Sequence, residues 1–156
     1  MDRRQFLATA SITAAGVALG SRVPSFASGF RQAPAAAAPP VTSFTDLRRG
    51  VGMFIGSGGT IGYLVNGDGA VGVDSQFMNT AEICVAGLKQ RAPKGIAMLL
   101  NTHHHGDHTG GNKAYVVSKI VAPVNCLKSH RATTEKTADE QAYATATFTD
   151  VWTEKF

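Results

Sequence analysis

Four of the five histidines fall within six residues, from His103 to His108, directly after the apolar run Ile96–Leu100. An apolar run of this kind is typical of a buried strand. Residues two apart on a chain leaving a strand point the same way, so His103 and His105 can converge on one ion while His104 points aside. Any fold of this chain therefore has to place this strand end and the loop that follows it at a common polar site.

The loop continues with Gly106, which permits a sharp turn that brings Asp107 and His108 to a neighbouring position. Imidazole nitrogens and a carboxylate together suit zinc, and iron, manganese or cobalt would also fit. The sequence predicts a metal site built by His103, His105, Asp107 and His108.

The segment before this loop predicts a β-meander. Short β-branched and aromatic runs at residues 51–55, 60–65 and 70–74 are separated by turn residues, including Asn66-Gly67-Asp68-Gly69. The glycine-rich stretch at residues 56–62 also invites a phosphate-binding interpretation. A strand follows it, however, where a phosphate loop requires a helix N-terminus, so a hairpin turn is favoured.

After the meander, strands alternate with helices, which indicates an α/β architecture. The pattern predicts helices at 79–91, 113–117 and 125–132, and strands at 96–100, 120–123 and near the start of 147–156; residues 133–146 are ambiguous. His130, beside Lys128 and Arg131, is expected on a solvated helical face rather than at the metal.

The N-terminus predicts export. Residues 1–27 combine Arg3-Arg4, an Ala-rich apolar stretch and a small-residue end, as in a signal peptide, and the stretch is short for a retained membrane anchor. The run Arg3–Leu7 favours a twin-arginine signal and a periplasmic location, with an ordinary secretory signal as the alternative. Residues 28–49 are expected to be a Pro/Ala-rich leader, and residues 50–156 the domain.

Charge and cysteine content exclude some classes. The net charge of +4 is small and partly lies in the predicted signal, so nucleic-acid binding is not expected. Cys84 and Cys126 are the only cysteines. Export would permit a disulfide, but their positions on two different predicted helices favour two buried thiols.

The segment THHHGDHTGGN at residues 102–112 is similar to the signature loop of the metallo-β-lactamase superfamily. The meander ending in Val73-Asp74 and the order of elements through Ala132 resemble that family as well. The resemblance implies the N-terminal half of an αββα sandwich. It also implies that His103 and His105 bind a first metal ion, Asp107 and His108 a second, and that Asp74 orients a ligand histidine.

A complete site in the family needs a third histidine, a bridging carboxylate and a last histidine from the second half of the fold, which this sequence does not supply. The chain is therefore expected to be incomplete at its C-terminus. The resemblance implies a hydrolase that binds up to two zinc ions, or iron or manganese. It would act on a small molecule, an ester, thioester, lactone or amide, through a metal-bound hydroxide, with Asp107 catalytic.

The alternative function is a non-catalytic metal-binding remnant or half-domain that needs a partner. If the second sheet is missing, one face of the first sheet should be uncovered. Ile61, Leu64, Val71 and Val73 are expected on that face, and self-association through it is expected.

Overall fold

Seven strands form one sheet in which the spatial order equals the chain order. The structure, a computed structural model, describes residues 38–156. The predicted signal peptide and residues 28–37 of the predicted leader lie outside the described residues. The strands are β1 (Ser43–Arg48), β2 (Val51–Ile55), β3 (Ile61–Asn66), β4 (Gly69–Val73), β5 (Ile96–Leu100), β6 (Ile120–Pro123) and β7 (Ala146–Phe148).

The sheet changes from antiparallel to parallel at β4. Strands β1 to β4 pair antiparallel, as their short turns require, and the Asn66 side-chain oxygen accepts a hydrogen bond from the Asp68 amide in the β3–β4 turn at 2.7 Å. Strands β4 to β7 pair parallel, which needs longer crossover connections. The predicted meander followed by alternating strands and helices is confirmed.

The crossovers contain the helices α1 (Met78–Arg91), α2 (Gly106–Thr109), α3 (Asn112–Tyr115) and α4 (Val124–Thr133), and a 3₁₀ helix spans Glu135–Glu140. The buried core lies between the helices and one face of the sheet. Its large side chains include Phe54, Ile61, Leu88, Leu99 and Tyr115, all with at most 1% of their surface exposed. Burial of this apolar area is the main force that holds the helices on the sheet.

The other sheet face carries a second set of apolar side chains. Strand pairing aligns Val51, Leu64, Val71 and Met98 in one row, and Val73, Leu100 and Val121 in the next. Ile61 was expected here, but it is fully buried on the helix side. The reason is the period of two along a strand: Ile61 and Leu64 are three residues apart and so point to opposite faces.

The C-terminal residues run back over this second face. Lys119, before β6, pairs with the Glu154 carboxylate at 2.7 Å, and the Phe156 ring approaches Gly69 at the start of β4. Near the opposite edge of the sheet, Val51 and Ile55 of β2 remain 43% and 46% exposed. Self-association through this face stays a prediction.

The folded part begins earlier than expected. Strand β1 lies within residues 28–49, which were expected to be leader, and its Phe44 ring packs against Phe54 with ring centroids 4.8 Å apart. The polar pattern SFTDLR gives little sign of a strand, because β1 is an edge strand with mostly exposed side chains. At the other end β7 is only three residues long, and residues 149–156 form no strand.

Two further sequence predictions concern cysteines and membranes. Cys84 and Cys126 are free and buried, so the prediction of two thiols is confirmed. Burial raises the pKa of the Cys84 thiol to about 11. None of the helices in residues 38–156 is both long and apolar enough to span a membrane.

His130 is not on a solvated face, as expected, but is buried with 2% of its surface exposed. Its ring packs edge-on against Tyr143, and its Nε2 lies 3.3 Å from the Gln141 side-chain oxygen. The expectation failed because residues 141–143, which cover this side of α4, have no regular pattern. Burial lowers the pKa of His130, the Gln141 hydrogen bond partly opposes this, and His104 and Arg131 lower the pKa further.

This burial predicts a loss of stability in mild acid. Because the folded-state pKa of His130 is lowered, its stabilising contribution is complete above the unfolded pKa of about 6.5 and is lost as the pH falls from there toward the folded pKa. Chemical unfolding of metal-free protein between pH 8 and pH 5 should show this fall. The His130→Gln variant should have a flatter profile; parallel profiles for the two proteins would contradict the assignment.

Candidate metal centre

The histidine loop begins at the carboxyl ends of two adjacent parallel strands. Val73 of β4 pairs with Leu100 of β5, and the Asp74 amide donates a hydrogen bond to the Leu100 carbonyl at 2.7 Å. The residues that follow each strand, Asp74 and Thr102, are thereby brought together. Carboxyl ends of parallel strands are where open α/β sheets bind ligands.

The Asp74 carboxylate links the two strand ends to the histidines. One oxygen accepts the Thr102 amide at 2.8 Å, and the other accepts the Thr102 hydroxyl at 2.8 Å. The second oxygen also lies 2.9 Å from Nδ1 of His108. With 7% of its side chain exposed, Asp74 uses its oxygens inside the protein rather than toward solvent.

The four predicted ligand residues lie together. The His103 ring is 4.0 Å from the His108 ring and 4.8 Å from the His105 ring, measured between centroids. Asp107 Oδ2 is 3.4 Å from Nε2 of His108. The His104 ring instead packs against the His105 ring, with the two centroids 4.8 Å apart.

Donor atoms of Asp74, His103 and His108 lie within 4.8 Å of one another, so these three could hold an ion. The hydrogen bonds favour a different role for Asp74. Its contact uses Nδ1 of His108, which leaves Nε2 free on the other side of the ring, beside Asp107. A carboxylate on the far nitrogen of a ligand histidine fixes the ring and its tautomer.

His103 is prepared for metal binding by its neighbours. Its Nδ1 lies 3.0 Å from the Thr102 hydroxyl, which leaves Nε2 free. Desolvation lowers the pKa of His103, and the adjacent His108 and His105 lower the pKa further, with Asp74 and Asp107 opposing them. A neutral imidazole is the form that binds a metal, so the low pKa favours occupancy at neutral pH.

The family model that describes the metallo-beta-lactamase superfamily matches residues 39–154 of this chain. The chain belongs to the metallo-β-lactamase superfamily. The resemblance carried by residues 102–112 and by the order of elements is thereby confirmed. No curated protein matches the chain significantly.

Solved structures agree on the fold. A metallo-β-lactamase from Hirschia baltica is 20% identical with a TM-score of 0.56, over 72% of this chain and 53% of its own. FIM-1 from Pseudomonas aeruginosa, in a mono-zinc form, is 18% identical with a TM-score of 0.55, over 72% and 53%. A stereoselective inverting sec-alkylsulfatase from Pseudomonas sp. is 19% identical with a TM-score of 0.52, over 60% and 17%.

At these identities the likeness shows the fold. The chain spans about half the length of the metallo-β-lactamase structures that it matches. The seven-stranded mixed sheet with its helices therefore corresponds to a partial metallo-β-lactamase fold, as the sequence predicted.

A buried polar network packs against the His103–His108 loop. The side-chain amides of Asn101 and Asn112 bond reciprocally at 2.8 and 3.0 Å, and the Ser75 hydroxyl donates to Asn112 at 2.9 Å. The Ser75 amide donates to the His108 carbonyl at 2.9 Å. These bonds join the ends of β4, β5 and helix α3 and so hold the backbone at His108 in place.

The turn after β4 is held in an unusual backbone conformation. Asp74 and Gln76 have φ angles of 64° and 56°, in the left-handed region that few residues other than glycine adopt. Gln76 is fully buried, and its side-chain nitrogen donates to the carbonyl of Gly59. Strain of this kind is retained where the surroundings fix it, as they do here beneath the metal loop.

The glycine-rich turn between β2 and β3 has a role that the hairpin interpretation missed. The Gly59 amide donates to the Asp107 carbonyl at 3.2 Å, so the turn lies against the metal loop. A Cβ atom on Gly58 would lie 2.7 Å from Cβ of Asp107. Glycines in this turn therefore allow the turn and the metal loop to approach each other closely. The run of consecutive glycines was the one sign of this contact in the sequence.

Replacing Gly59 with alanine should weaken metal binding. The added Cβ would lie 2.5 Å from Cε1 and 2.6 Å from Nε2 of His108, on the nitrogen left free for a metal. We expect zinc affinity, measured by titration calorimetry, to fall by about tenfold or more, in the range seen when the surroundings of ligands are disturbed. Gly67→Ala is the matched control, because nothing lies within 4 Å of its Cβ. Equal affinities in the two variants would contradict this role of Gly59.

The Asp74→Asn variant tests whether Asp74 orients His108. Asparagine keeps the shape and tolerates a positive φ, but it loses one acceptor oxygen. Zinc affinity, measured by competition with a chromophoric chelator, should fall about 10- to 100-fold while the circular dichroism spectrum is retained. Asp68→Asn, an exposed carboxylate paired with Lys94, is the control. If both variants bind zinc like the parent chain, Asp74 has no orienting role.

Proposed function

We propose that this chain is the metal-binding part of an exported, zinc-dependent hydrolase of the metallo-β-lactamase superfamily. The observation that carries the proposal is the Asp74–His108–Asp107 arrangement beside His103. One carboxylate fixes the inner nitrogen of His108, and the outer nitrogen faces a second carboxylate at 3.4 Å. Membership of the metallo-β-lactamase superfamily supports a metal-binding role for this arrangement.

The donor set fits zinc. His103 and His105 would supply imidazole nitrogens to one ion, and Asp107 and His108 would supply an oxygen and a nitrogen to a second. Iron or manganese would accept the same donors. The mono-zinc form of FIM-1, a structure with the same fold, supports zinc as the first choice. Zinc, when bound, lowers the pKa of a coordinated water to about 7 and polarises a carbonyl oxygen.

Asp107 is the residue best placed to handle a proton. Its side chain is 38% exposed, and one oxygen lies beside Nε2 of His108 while the backbone carbonyl is held by the Gly59 amide. The backbone at Asp107 is therefore held against the glycine turn, and its carboxylate lies between His108 and solvent. A carboxylate there can accept a proton from the attacking water and return it to the leaving group.

The substrate class proposed is an ester, thioester, lactone or amide, each of which has a carbonyl that such a site can activate. Because the same fold occurs in a sec-alkylsulfatase, the fold does not select among these groups. A β-lactam is one amide among many.

A second candidate function is a non-catalytic metal-binding half-domain. The observation that favours it is coverage: the chain corresponds to about half of the structures that it matches, and its donors all come from one loop and one strand end. In this case the chain would bind metal and require a partner chain to complete the site.

Zinc binding and turnover distinguish the two. We expect zinc to bind reversibly and to be removed by dialysis against a chelator, because one chain supplies few donors for each ion. Zinc-dependent hydrolysis of activated esters, thioesters, lactones and amides should be slow, since misplacement by about 1 Å can cost some 100-fold. Asp107→Asn should abolish it and Asp139→Asn, an exposed carboxylate on the 3₁₀ helix, should not.

Zinc-dependent turnover that persists in Asp107→Asn would remove Asp107 from the mechanism. Zinc binding without turnover in any variant would reject the hydrolase proposal for this chain and support the half-domain. Zinc retained in a 1:1 ratio after dialysis against a chelator would show that the site is more complete than proposed.

A further inference from the structure

Gln76 is buried where three segments around the histidine loop meet, with none of its surface exposed. Its side-chain nitrogen donates a hydrogen bond to the carbonyl of Gly59, in the glycine-rich turn between β2 and β3. Its backbone carbonyl accepts the Gly111 amide at 2.7 Å, just after helix α2. One residue thus joins the segment after β4, the turn before β3 and the segment that follows the histidine loop.

Two features of Gln76 are unfavourable by themselves. Its φ angle of 56° lies in the left-handed region, which disfavours a side chain. Its side-chain oxygen is buried and accepts no hydrogen bond from residues 38–156. The Gly59 carbonyl can only accept, so the amide nitrogen has to face it and the oxygen has to face away. Features of this kind persist where the surrounding contacts fix them, and they are frequent at functional sites.

The turn that Gln76 holds lies against Asp107 and His108. The Gly59 amide donates to the Asp107 carbonyl at 3.2 Å. A Cβ atom on Gly59 would lie 2.6 Å from Nε2 of His108, so the turn also borders the nitrogen left free for a metal. Gln76 therefore acts, through Gly59, on both residues that are assigned to the second metal ion.

The residues assigned to the first metal ion are held by other contacts. Nδ1 of His103 lies 3.0 Å from the Thr102 hydroxyl, and the His105 carbonyl accepts the Thr109 amide at 3.0 Å. Within residues 38–156, no hydrogen bond joins either histidine to Gln76 or to the glycine-rich turn. Loss of the Gln76 amide should therefore disturb the two metal positions unequally.

We propose that Gln76 is a positioning residue that fixes Gly59 and thereby sets the place of Asp107 and His108, which controls occupancy of the second metal position. The inference rests on the proposed function, which assigns His103 and His105 to one ion and Asp107 and His108 to the other. It adds that the two positions are controlled separately, because only the second depends on the glycine-rich turn.

Gln76→Met tests this role, because methionine has a similar length and volume but lacks the amide. Zinc is titrated into the ¹⁵N-labelled chain, and the imidazole nitrogen signals of His103, His105 and His108 are followed by NMR. The zinc affinity reported by His108 should fall about tenfold, as for partners behind a metal ligand, while the affinity at the other two changes by less than about twofold. Gln90→Met, at an exposed glutamine of α1, is the matched control and should leave all three unchanged.

A second variant, Gly56→Ala, leaves Gln76 itself unchanged. The added Cβ would lie 2.7 Å from the unpaired side-chain oxygen of Gln76 and would displace the amide. The zinc affinity at His108 should therefore fall here as well, which keeps the inference testable if Gln76→Met does not fold. Gly67→Ala is the control, because nothing lies within 4 Å of its Cβ.

Amide hydrogen exchange of the zinc-free chain gives a measurement that does not depend on metal. If Gln76 fixes the turn, the Gly59 amide should exchange at least about tenfold faster in Gln76→Met than in Gln90→Met. No response to zinc at any histidine of the parent chain would overturn the proposed function, and Gly59 exchange would still decide whether Gln76 holds the turn. Equal losses of zinc affinity at the three histidines, no loss at His108, or equal Gly59 exchange in the two variants would overturn the positioning role.

Discussion

The arrangement of the site depends on one buried carboxylate at a strand end. Asp74 follows β4, and its two oxygens bond to Thr102, which follows β5, and to His108 at the far side of the loop. Parallel pairing of β4 and β5 brings these residues to one edge, and the carboxylate then sets where the loop turns back. Other bonds hold the rest of the loop, from the Gly59 amide to the Asp107 carbonyl and from the Thr109 hydroxyl to the His105 carbonyl.

Rigidity around this carboxylate comes from groups that carry no charge. The Asn101–Asn112 amide pair and the Ser75 hydroxyl satisfy one another in a region with almost no solvent exposure. A satisfied buried network stabilises one arrangement, because any shift leaves a donor or acceptor unpaired, at a cost of about 1–3 kcal/mol. The left-handed backbone at Asp74 and Gln76 is tolerated for the same reason. The polar layer thus holds the backbone at His108 in place.

Sequence patterns predicted the features that depend on local periodicity and spacing. The strands β2 to β6, helix α1 and the position of the His103–His108 loop at the end of β5 follow from residues close in the chain. Contacts between distant segments could not be predicted in this way. The approach of Gly59 to His108, the cover of Tyr143 over His130 and the pairing of edge strand β1 all join residues with no shared pattern. Ile61 was misplaced for a simpler reason, since counting by two from Leu64 would have assigned it to the helix side.

The two faces of the sheet are covered by different parts of the chain. Helices α1, α3 and α4 bury one face, which contains the main cluster of buried apolar side chains. The second face is also apolar: Val71, Met98 and Val121 are buried there, whereas Val51 near the opposite edge is 43% exposed. The apolar surface that remains exposed on this face is available for contact with another protein surface. Because the histidine loop opens at the edge of this same face, whatever lies on the face also lies next to the metal ligands. Asn101 and Thr102 lie at this boundary, because each borders the second face and also contacts the histidine loop.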